Sequence, residues 1–345
     1  DLALIHYVAS DFTPSSTQHL VDPRPFFKSA FLPVLEPRNH QEMLEAGEIA
    51  ANIGREFECP VVVHAAGALC HSEGLVRLNH RKSYSALEIP EDLHRFLTLP
   101  AMARSNYDLV MDKRMPALLK MVERSPLNEW REGSGKTGVI TYGVDHLYVE
   151  EVREKYGADF DVLSLAFSNP LPAEKIKAFR DAIAGEIYVF EDGYRFLQEE
   201  LERMGIGAGG KEPYSKITEW TPGLIAETMG LEAPHKRLFP GVAVPRPPSI
   251  CAGCPYAIFA EIVRKMKRKK RIAAVFGDIG CNTLLYFLGA LDTCTAMGAS
   301  EGKRQGFVLA RPELASKCIS VVGDSTECHS GMDATRNALF RNVPG

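Results

Sequence analysis

The sequence predicts an α/β protein of more than one domain, its sheets parallel and flanked by helices. Three observations carry this. A chain of 345 residues exceeds one ordinary hydrophobic core. From about residue 136 to 210, short β-branched runs alternate with helix-length runs, the pattern of strand–helix–strand units around a parallel sheet. Further on, Ile272-Ala273-Ala274-Val275-Phe276 and Cys318-Ile319-Ser320-Val321-Val322 each stop at Gly-Asp. A strand that ends this way delivers an acid to the tip of a sheet beside a helix start.

The elements follow in order. Leu2 to Val8 is a strand candidate. Gln41 to Phe57 carries Met43, Leu44, Ile49, Ala50, Ile53 and Phe57 at helical spacing. Cys59 to His64 reads as a short buried strand. Residues 80 to about 105 read as a polar linker, and 106 to 135 hold a helix bearing Met and Leu. Then come a strand at Gly138–Gly143, a helix at Val144–Tyr156 and a strand at Asp161–Ala166. A helix at Pro172–Ala184, a strand at Glu186–Glu191 and a helix at Tyr194–Met204 complete the alternation. Residues 207 to 249 are rich in Gly and Pro, and Pro240, Pro245, Pro247 and Pro248 mark an extended linker. A further unit starts near Ser249.

Composition excludes several classes. A net charge of −4 gives no reason to invoke nucleic acid, and no apolar run reaches membrane-span length. No signal peptide is visible. The chain starts without Met, inside a strand candidate, which is expected of an internal piece of a longer protein. Two of the eight cysteines fall in the first seventy residues and six after residue 250. That is not the density of a secreted disulfide scaffold, so a reducing, cytoplasmic setting is expected.

Chemistry concentrates in the last hundred residues. Helix N-termini attract phosphate through unpaired N–H groups. An aspartate there is a poor phosphate ligand, but it makes sense if it holds Mg²⁺ that bridges diphosphate oxygens. Asp324 therefore has two readings, helix cap or Mg²⁺ ligand. Ser325, Thr326 and the N–H groups of Gly323 to Thr326 could meet diphosphate oxygens. Gly277-Asp278-Ile279-Gly280 is a second glycine-rich strand end, either an ordinary sharp turn or a close approach to a bulky ligand. Cys251, Cys254 and Cys281 have the spacing of a trio that can hold three irons of a [4Fe–4S] cluster. The alternative is a structural turn at Cys251–Cys254 with Cys281 unligated. No fourth ligand is identifiable, and Cys294, Cys318 and Cys328 are candidates only by elimination. Zinc is less consistent with this spacing.

Two motifs are decoys. Gly133-Ser134-Gly135-Lys136-Thr137 imitates a phosphate-binding loop, but its first glycine would fall on Trp130 and a strand follows. Lys265 to Arg271 is a basic run at a helix C-terminus, where the dipole favours cations.

Taken together, the order Cys251-Ala252-Gly253-Cys254-Pro255, Gly277-Asp278-Ile279-Gly280-Cys281, Met297-Gly298-Ala299-Ser300 and Gly323-Asp324-Ser325-Thr326 with His329-Ser330-Gly331 resembles the 2-oxoacid:ferredoxin oxidoreductases. Within that family it is most like the alpha subunits acting on indolepyruvate. Pro14-Ser15-Ser16-Thr17-Gln18 with Asp22-Pro23-Arg24, then Pro33 to Pro37 and Gln41-Glu42, resemble the family's pyrimidine-binding domain. The resemblance implies a multi-domain thiamine-diphosphate-binding fold. Residues 1–80 would be the end of the pyrimidine-binding domain and 106–210 a transketolase-C-terminal-like domain. A linker would span 211–248, and 249–345 would begin the diphosphate-binding domain.

It further implies thiamine diphosphate, Mg²⁺ on Asp324, and [4Fe–4S] clusters partly on segments outside this sequence. Gly277 to Gly280 and Gly323 to Thr326 would line the cofactor. The activity implied is oxidative decarboxylation of an aryl 2-oxoacid such as indolepyruvate to an acyl-coenzyme A, with ferredoxin as acceptor. A smaller beta subunit would complete a hetero-oligomer. The family's aminopyrimidine-activating glutamate would precede Asp1, and its second Mg²⁺ ligand, an asparagine, would lie beyond Gly345. No catalytic acid–base residue is therefore named. Two departures stand out. The family's Arg-x-Thr-Thr-Arg is here His64-Ala65-Ala66-Gly67-Ala68, before His71-Ser72, and Asn169 stands where Tyr is usual in the Asn169-Pro170-Leu171-Pro172 turn. They leave room for a non-catalytic paralogous subunit with a scaffold or electron-relay role. A thiamine-dependent decarboxylase or synthase without redox chemistry is the other alternative.

Overall fold

The computed structural model describes residues 4–13, 20–78, 93–232 and 248–344. Pro14 to Gln18, and with them the Ser15, Ser16 and Gln18 candidates, lie outside the described residues, as do Pro240, Pro245 and Pro247. The chain divides into two compact units, Asp1–Leu238 and Phe239–Gly345.

The first unit begins with β1 (Ile5–Ser10), α1 (Arg24–Ser29), β2 (Val34–Leu35), α2 (His40–Phe57), β3 (Val61–Ala66) and α3 (Gly67–Cys70). Asn39 caps α2 by accepting from the Glu42 amide at 3.0 Å, and Glu58, at φ 48°, ends it in the left-handed region. The Val61-Val62-Val63 run is fully buried because β3 lies between β1 and β2. Helix α2 lays Ala46, Ala50 and Ile53 on it. A buried side chain of the size of Ile53 contributes about 1.5–3 kcal/mol, and an alanine methyl less.

Two helices follow, α4 (Pro100–Leu109) and α5 (Met115–Arg124), joined by a π-turn at Val110–Arg114. α5 is the helix bearing Met and Leu expected within 106–135, while α4 starts at Pro100, inside the stretch expected as a polar linker. Next come β4 (Glu129–Arg131), β5 (Gly138–Tyr142), α6 (Asp145–Tyr156), β6 (Asp161–Leu165), β7 (Phe167–Asn169), α7 (Ala173–Ala182), β8 (Ile187–Phe190) and α8 (Phe196–Arg203). β6, β5 and β8 are parallel, with β4 antiparallel at the edge, in the order β4-β6-β5-β8. β7 crosses to the other sheet, whose order is β1-β3-β2-β7. A single residue, Ala166, separates it from β6.

The stretch expected as a linker over 211–248 instead begins as core. Its α9 (Pro222–Thr228) is started by Thr221, whose side chain accepts from the Leu224 amide. Trp220, Ile225 and Ala226 are buried against α6 and Phe190. The Trp220 amide donates to Asp192 at 2.7 Å, and its indole donates to the Glu191 carbonyl at 3.2 Å. Among the described residues, no helix is long and apolar enough to cross a membrane.

The second unit holds α10 (Pro255–Arg268), β9 (Ala274–Gly277), β10 (Thr293–Cys294), α11 (Ala299–Ala310), β11 (Cys318–Val321), α12 (Asp324–Thr326) and α13 (Met332–Phe340). Among its described residues the strands are all parallel, in the order β10-β9-β11. The α/β class, with parallel sheets flanked by helices, is as expected. The basic run ends α10 as expected, with Lys265 paired to Glu261 and Lys267 to Asp292. Thr137 leads directly into β5, so the Gly133–Thr137 decoy has no following helix.

Candidate functional site

In the second unit the chain leaves β9 for β10 on one side and returns to β11 on the other. Such a reversal opens a crevice at the carboxyl ends of the strands, where open α/β sheets take their ligands. Three motif loops stand at that edge: residues 277–282 after β9, 295–300 after β10 and 322–326 after β11.

The two aspartates there differ. Asp278 is fully buried. Its Oδ2 accepts from the Gly298 amide at 2.8 Å and its Oδ1 from the Ser300 amide at 2.7 Å. Its carboxylate is therefore spent on holding the Met297–Ser300 loop and the head of α11. The loop closes further through Thr283, whose hydroxyl donates to the Asp278 carbonyl at 3.0 Å and accepts from the Gly280 amide at 3.2 Å. Cys294 Sγ donates to the same carbonyl at 3.1 Å. Ile279 is half-buried and Gly280 exposed, at φ 138°, a conformation that favours glycine.

Asp324 is exposed, at the first helical position after β11, and Gly323 occupies the cap position. The helix-cap reading of Asp324 is thus not what the structure shows, and its carboxylate is left available. Ser325 is exposed beside it, whereas Thr326 is buried. A π-turn at Glu327–Gly331 follows, a distortion common at functional sites. Gly298, at φ 79°, ties the loops together: a Cβ there would stand 3.0 Å from the Ser330 carbonyl oxygen. Replacing Gly298 by Val should lower stability by about 1–2 kcal/mol through left-handed strain alone. A downward shift in the urea midpoint would report it.

Two buried polar atoms near these loops have no partner, Asn282 Oδ1 and Ser300 Oγ. Buried polar groups are nearly always satisfied, so the orphans, the glycine-lined backbone and the free Asp324 carboxylate fit a polar ligand with its cation. Sequence reasoning placed Ser300 in a motif loop but gave neither it nor Asn282 a role, because an unsatisfied atom leaves no trace in a motif.

The candidate cluster cysteines are spread over two places. Cys251 and Cys254 form a turn ahead of α10, the Cys254 amide donating to the Cys251 carbonyl at 3.1 Å. Cys281 is exposed at the start of a 3₁₀ turn. Among the described residues, no three His, Cys, Asp or Glu side chains stand together to hold a metal ion. Cys251, Cys254 and Cys281 are therefore not brought together. Of the further candidates, Cys294 is hydrogen-bonded as above, Cys318 is buried at the opposite, amino end of β11, and Cys328 is exposed.

In the first unit, the departure at His64 is absorbed by a buried network. His64 is fully buried, its Nδ1 2.9 Å from Glu36 Oε2 and its Nε2 2.8 Å from Ser10 Oγ. A carboxylate only accepts, so Nδ1 donates. Arg24 Nε donates to Glu36 at 2.8 Å, and its Nη1 donates to Asp22 at 2.9 Å and to the Asp192 carbonyl at 3.0 Å. The guanidinium also stacks over Tyr142, 4.5 Å from the ring centre. His71 is exposed.

Burial pushes the Glu36 pKa up, but the charges of Arg24 and His64 and their hydrogen bonds outweigh it and lower it from 4.5 to about 2. A pKa depressed on folding contributes stability that is fully present above the unfolded value and is lost as pH falls through the folded one. The contribution, about 3 kcal/mol, should disappear between roughly pH 5 and pH 2. Denaturant midpoints should fall across that window, and less steeply in Glu36→Gln.

No family model matches the chain. It is 29% identical to the indolepyruvate oxidoreductase subunit IorA of Archaeoglobus fulgidus, over 97% of this chain and 56% of that protein. The IorA subunits of Methanothermobacter marburgensis and Thermococcus kodakarensis are each 28% identical over 96% of this chain, covering 56% and 57% of their lengths. Among solved structures, a 2-oxoglutarate:ferredoxin oxidoreductase from Magnetococcus marinus superposes with a TM-score of 0.42 and 15% identity, over 57% of this chain and 41% of that one. A split-gene transketolase superposes at 0.38 and 13%, over 66% and 65%. Scores this low carry no argument about the site. The resemblance read from the motifs holds along almost the whole chain, which is similar to the IorA subunits of indolepyruvate oxidoreductase and spans a little over half their length.

Proposed function

We propose that this chain is part of a thiamine-diphosphate-dependent 2-oxoacid oxidoreductase. On this reading it acts in the cytoplasm on an aryl 2-oxoacid such as indolepyruvate. Coenzyme A receives the acyl group and ferredoxin the electrons, and a smaller beta subunit is the partner. The observation that carries the reading is the meeting of three motif loops at the carboxyl edge of one parallel sheet, in a chain similar to IorA along nearly its whole length.

Thiamine diphosphate, when bound, supplies the carbanion chemistry that decarboxylates a 2-oxoacid. The chain's own residues bind and orient. Asp324 would hold Mg²⁺. Gly323, Ser325 and the exposed backbone beside them would face the diphosphate, as would the Gly277–Gly280 turn. Asp278 acts at one remove, fixing the Met297–Ser300 loop. Thr326, buried, supports the turn rather than facing the ligand.

The complex with its partner subunit, purified anaerobically, should reduce viologen in a coenzyme-A-dependent way with indolepyruvate or phenylpyruvate. No reduction with any of a panel of 2-oxoacids, despite bound thiamine diphosphate, would sink the oxidoreductase reading. The second reading is a thiamine-dependent enzyme without redox chemistry, in which Cys251, Cys254 and Cys281 carry no cluster. Iron analysis separates the two. Wild-type protein that loses iron on Cys251→Ser supports the cluster; iron content unchanged by that variant removes these cysteines from the electron path.

A further inference from the structure

The turn at Cys251–Cys254 has a geometry of its own. The Cys254 amide donates to the Cys251 carbonyl at 3.1 Å, and of the two residues between them only Gly253 has a positive φ, 77°. A four-residue turn with a positive φ at its third position is type II, and glycine is the residue that position favours. Such a turn holds its first and fourth Cα atoms within about 7 Å. A disulfide spans Cα atoms about 4.4–6.8 Å apart. The backbone thus brings the two cysteines into disulfide range before any bond forms.

The pair is also within reach of solvent. Cys251 is exposed and Cys254 half-buried. Cys254 takes the cap position of α10, but its side chain makes no capping hydrogen bond, so the helix does not occupy its sulfur.

The turn stands at the edge of the sheet where the motif loops meet. α10 lays Ala260 and Val263 against Val275 of β9. Near its last turn, Lys267 pairs with Asp292, just ahead of β10, which fixes that end at the amino edge. A helix of 14 residues is about 21 Å long and a strand of 4 about 13 Å. The head of α10, with Cys251 and Cys254, therefore lies at the carboxyl edge.

We propose that Cys251 and Cys254 are a redox dithiol, closed to an intramolecular disulfide across the turn by exchange with a small-molecule disulfide. The Cys251 sulfur attacks one sulfur of that disulfide, forming a mixed disulfide and releasing one small thiol. The Cys254 sulfur then attacks the Cys251 sulfur and releases the second small thiol. The two cysteine protons leave on the two released thiols. The pair gives up two electrons and the small disulfide takes both. The proposal stands on this turn and does not depend on the thiamine diphosphate reading.

The test is to equilibrate the purified full chain anaerobically with mixtures of oxidised and reduced glutathione, quench with acid, alkylate and map the cysteines by mass spectrometry. In oxidising mixtures the peptide carrying Cys251 and Cys254 should be unalkylated and lighter by two hydrogens. This form should exceed the mixed disulfide about tenfold or more, because the turn makes the second step intramolecular. Cys254→Ser should hold Cys251 as the mixed disulfide with glutathione. Gly253→Val should lower the ratio of closed to mixed disulfide about fivefold or more, since left-handed backbone strains a branched residue. A Cβ at Gly253 meets nothing within 4 Å, so that variant disturbs the turn and not the packing. Separate glutathione adducts on both cysteines, a bond from either to Cys281, or a ratio unchanged in Gly253→Val would overturn the proposal. So would two thiols still free to alkylate in the most oxidising mixture, whether bare or kept reduced by bound iron.

Discussion

Asp324→Ala should lower coenzyme-A-dependent viologen reduction by about 10²-fold or more while leaving the melting temperature within a degree or two of wild type. The direction follows from position. Asp324 is exposed at the end of β11 and Gly323 holds the cap position, so the fold does not depend on its carboxylate. Residues that merely orient a metal's ligands cost about 10–100-fold when removed, and a direct ligand should cost at least that. Added Mg²⁺ should restore only part of the loss. An Asp324→Ala protein that melts many degrees lower would instead mean that the carboxylate is structural. One with full activity would take Mg²⁺ away from this position.

Asp278→Ala should do the opposite: its first effect is on folding. The variant removes two hydrogen bonds from backbone amides to a fully buried carboxylate and leaves the Gly298 and Ser300 N–H groups without acceptors. Hydrogen bonds to charged groups are worth about 1.5–3 kcal/mol each, so a loss of roughly 3–5 kcal/mol is expected. For a unit of this size that is a drop on the order of 10 °C or more. Asp278→Asn should retain part of it, since the amide oxygen can still accept from one N–H while the amide nitrogen faces the other donor. Differential scanning calorimetry of wild type and both variants checks the order wild type, Asn, Ala. Equal melting temperatures would return Asp278 to the cofactor-facing role that its motif suggests.

The contrast between the two aspartates shows what the sequence could and could not convey. Both Gly-Asp pairs follow apolar runs, so both strand ends were legible from period and composition. Nothing local reveals that one carboxylate is consumed by a loop twenty residues downstream while the other is free. The same holds in the first unit. Arg24, Glu36 and His64 stand far apart in sequence, and their meeting depends on β1, β2 and β3 lying side by side. The strands that escaped notice, β2, β4, β7 and β10, are two or three residues long, too short for any periodic signal. β4 is also Glu129-Trp130-Arg131, exposed throughout, with no apolar alternation to mark it.

The linker expected over 211–248 failed in its first part for a different reason. Its Gly and Pro content hid Trp220, whose burial is fixed by Asp192 and Glu191 on the far side of α8. A local sign was present: Thr221-Pro222 is a helix start, with a capping side chain and a first-turn proline. The cysteines are the reverse case. Spacing permits a cluster, but ligand spacing fixes only what the chain allows, and among the described residues Cys251 and Cys254 close a turn and no third ligand stands with them.

The account turns on the three loops at the carboxyl edge of β9, β10 and β11 holding Mg²⁺ and a diphosphate. The direct measurement is a calorimetric titration of thiamine diphosphate into the purified complex stripped of cofactor, with and without Mg²⁺, for wild type and Asp324→Ala. Saturable, Mg²⁺-dependent binding that weakens about 10²-fold or more in Asp324→Ala is the predicted result. Binding that ignores Mg²⁺, or equal affinity in the two proteins, would contradict it.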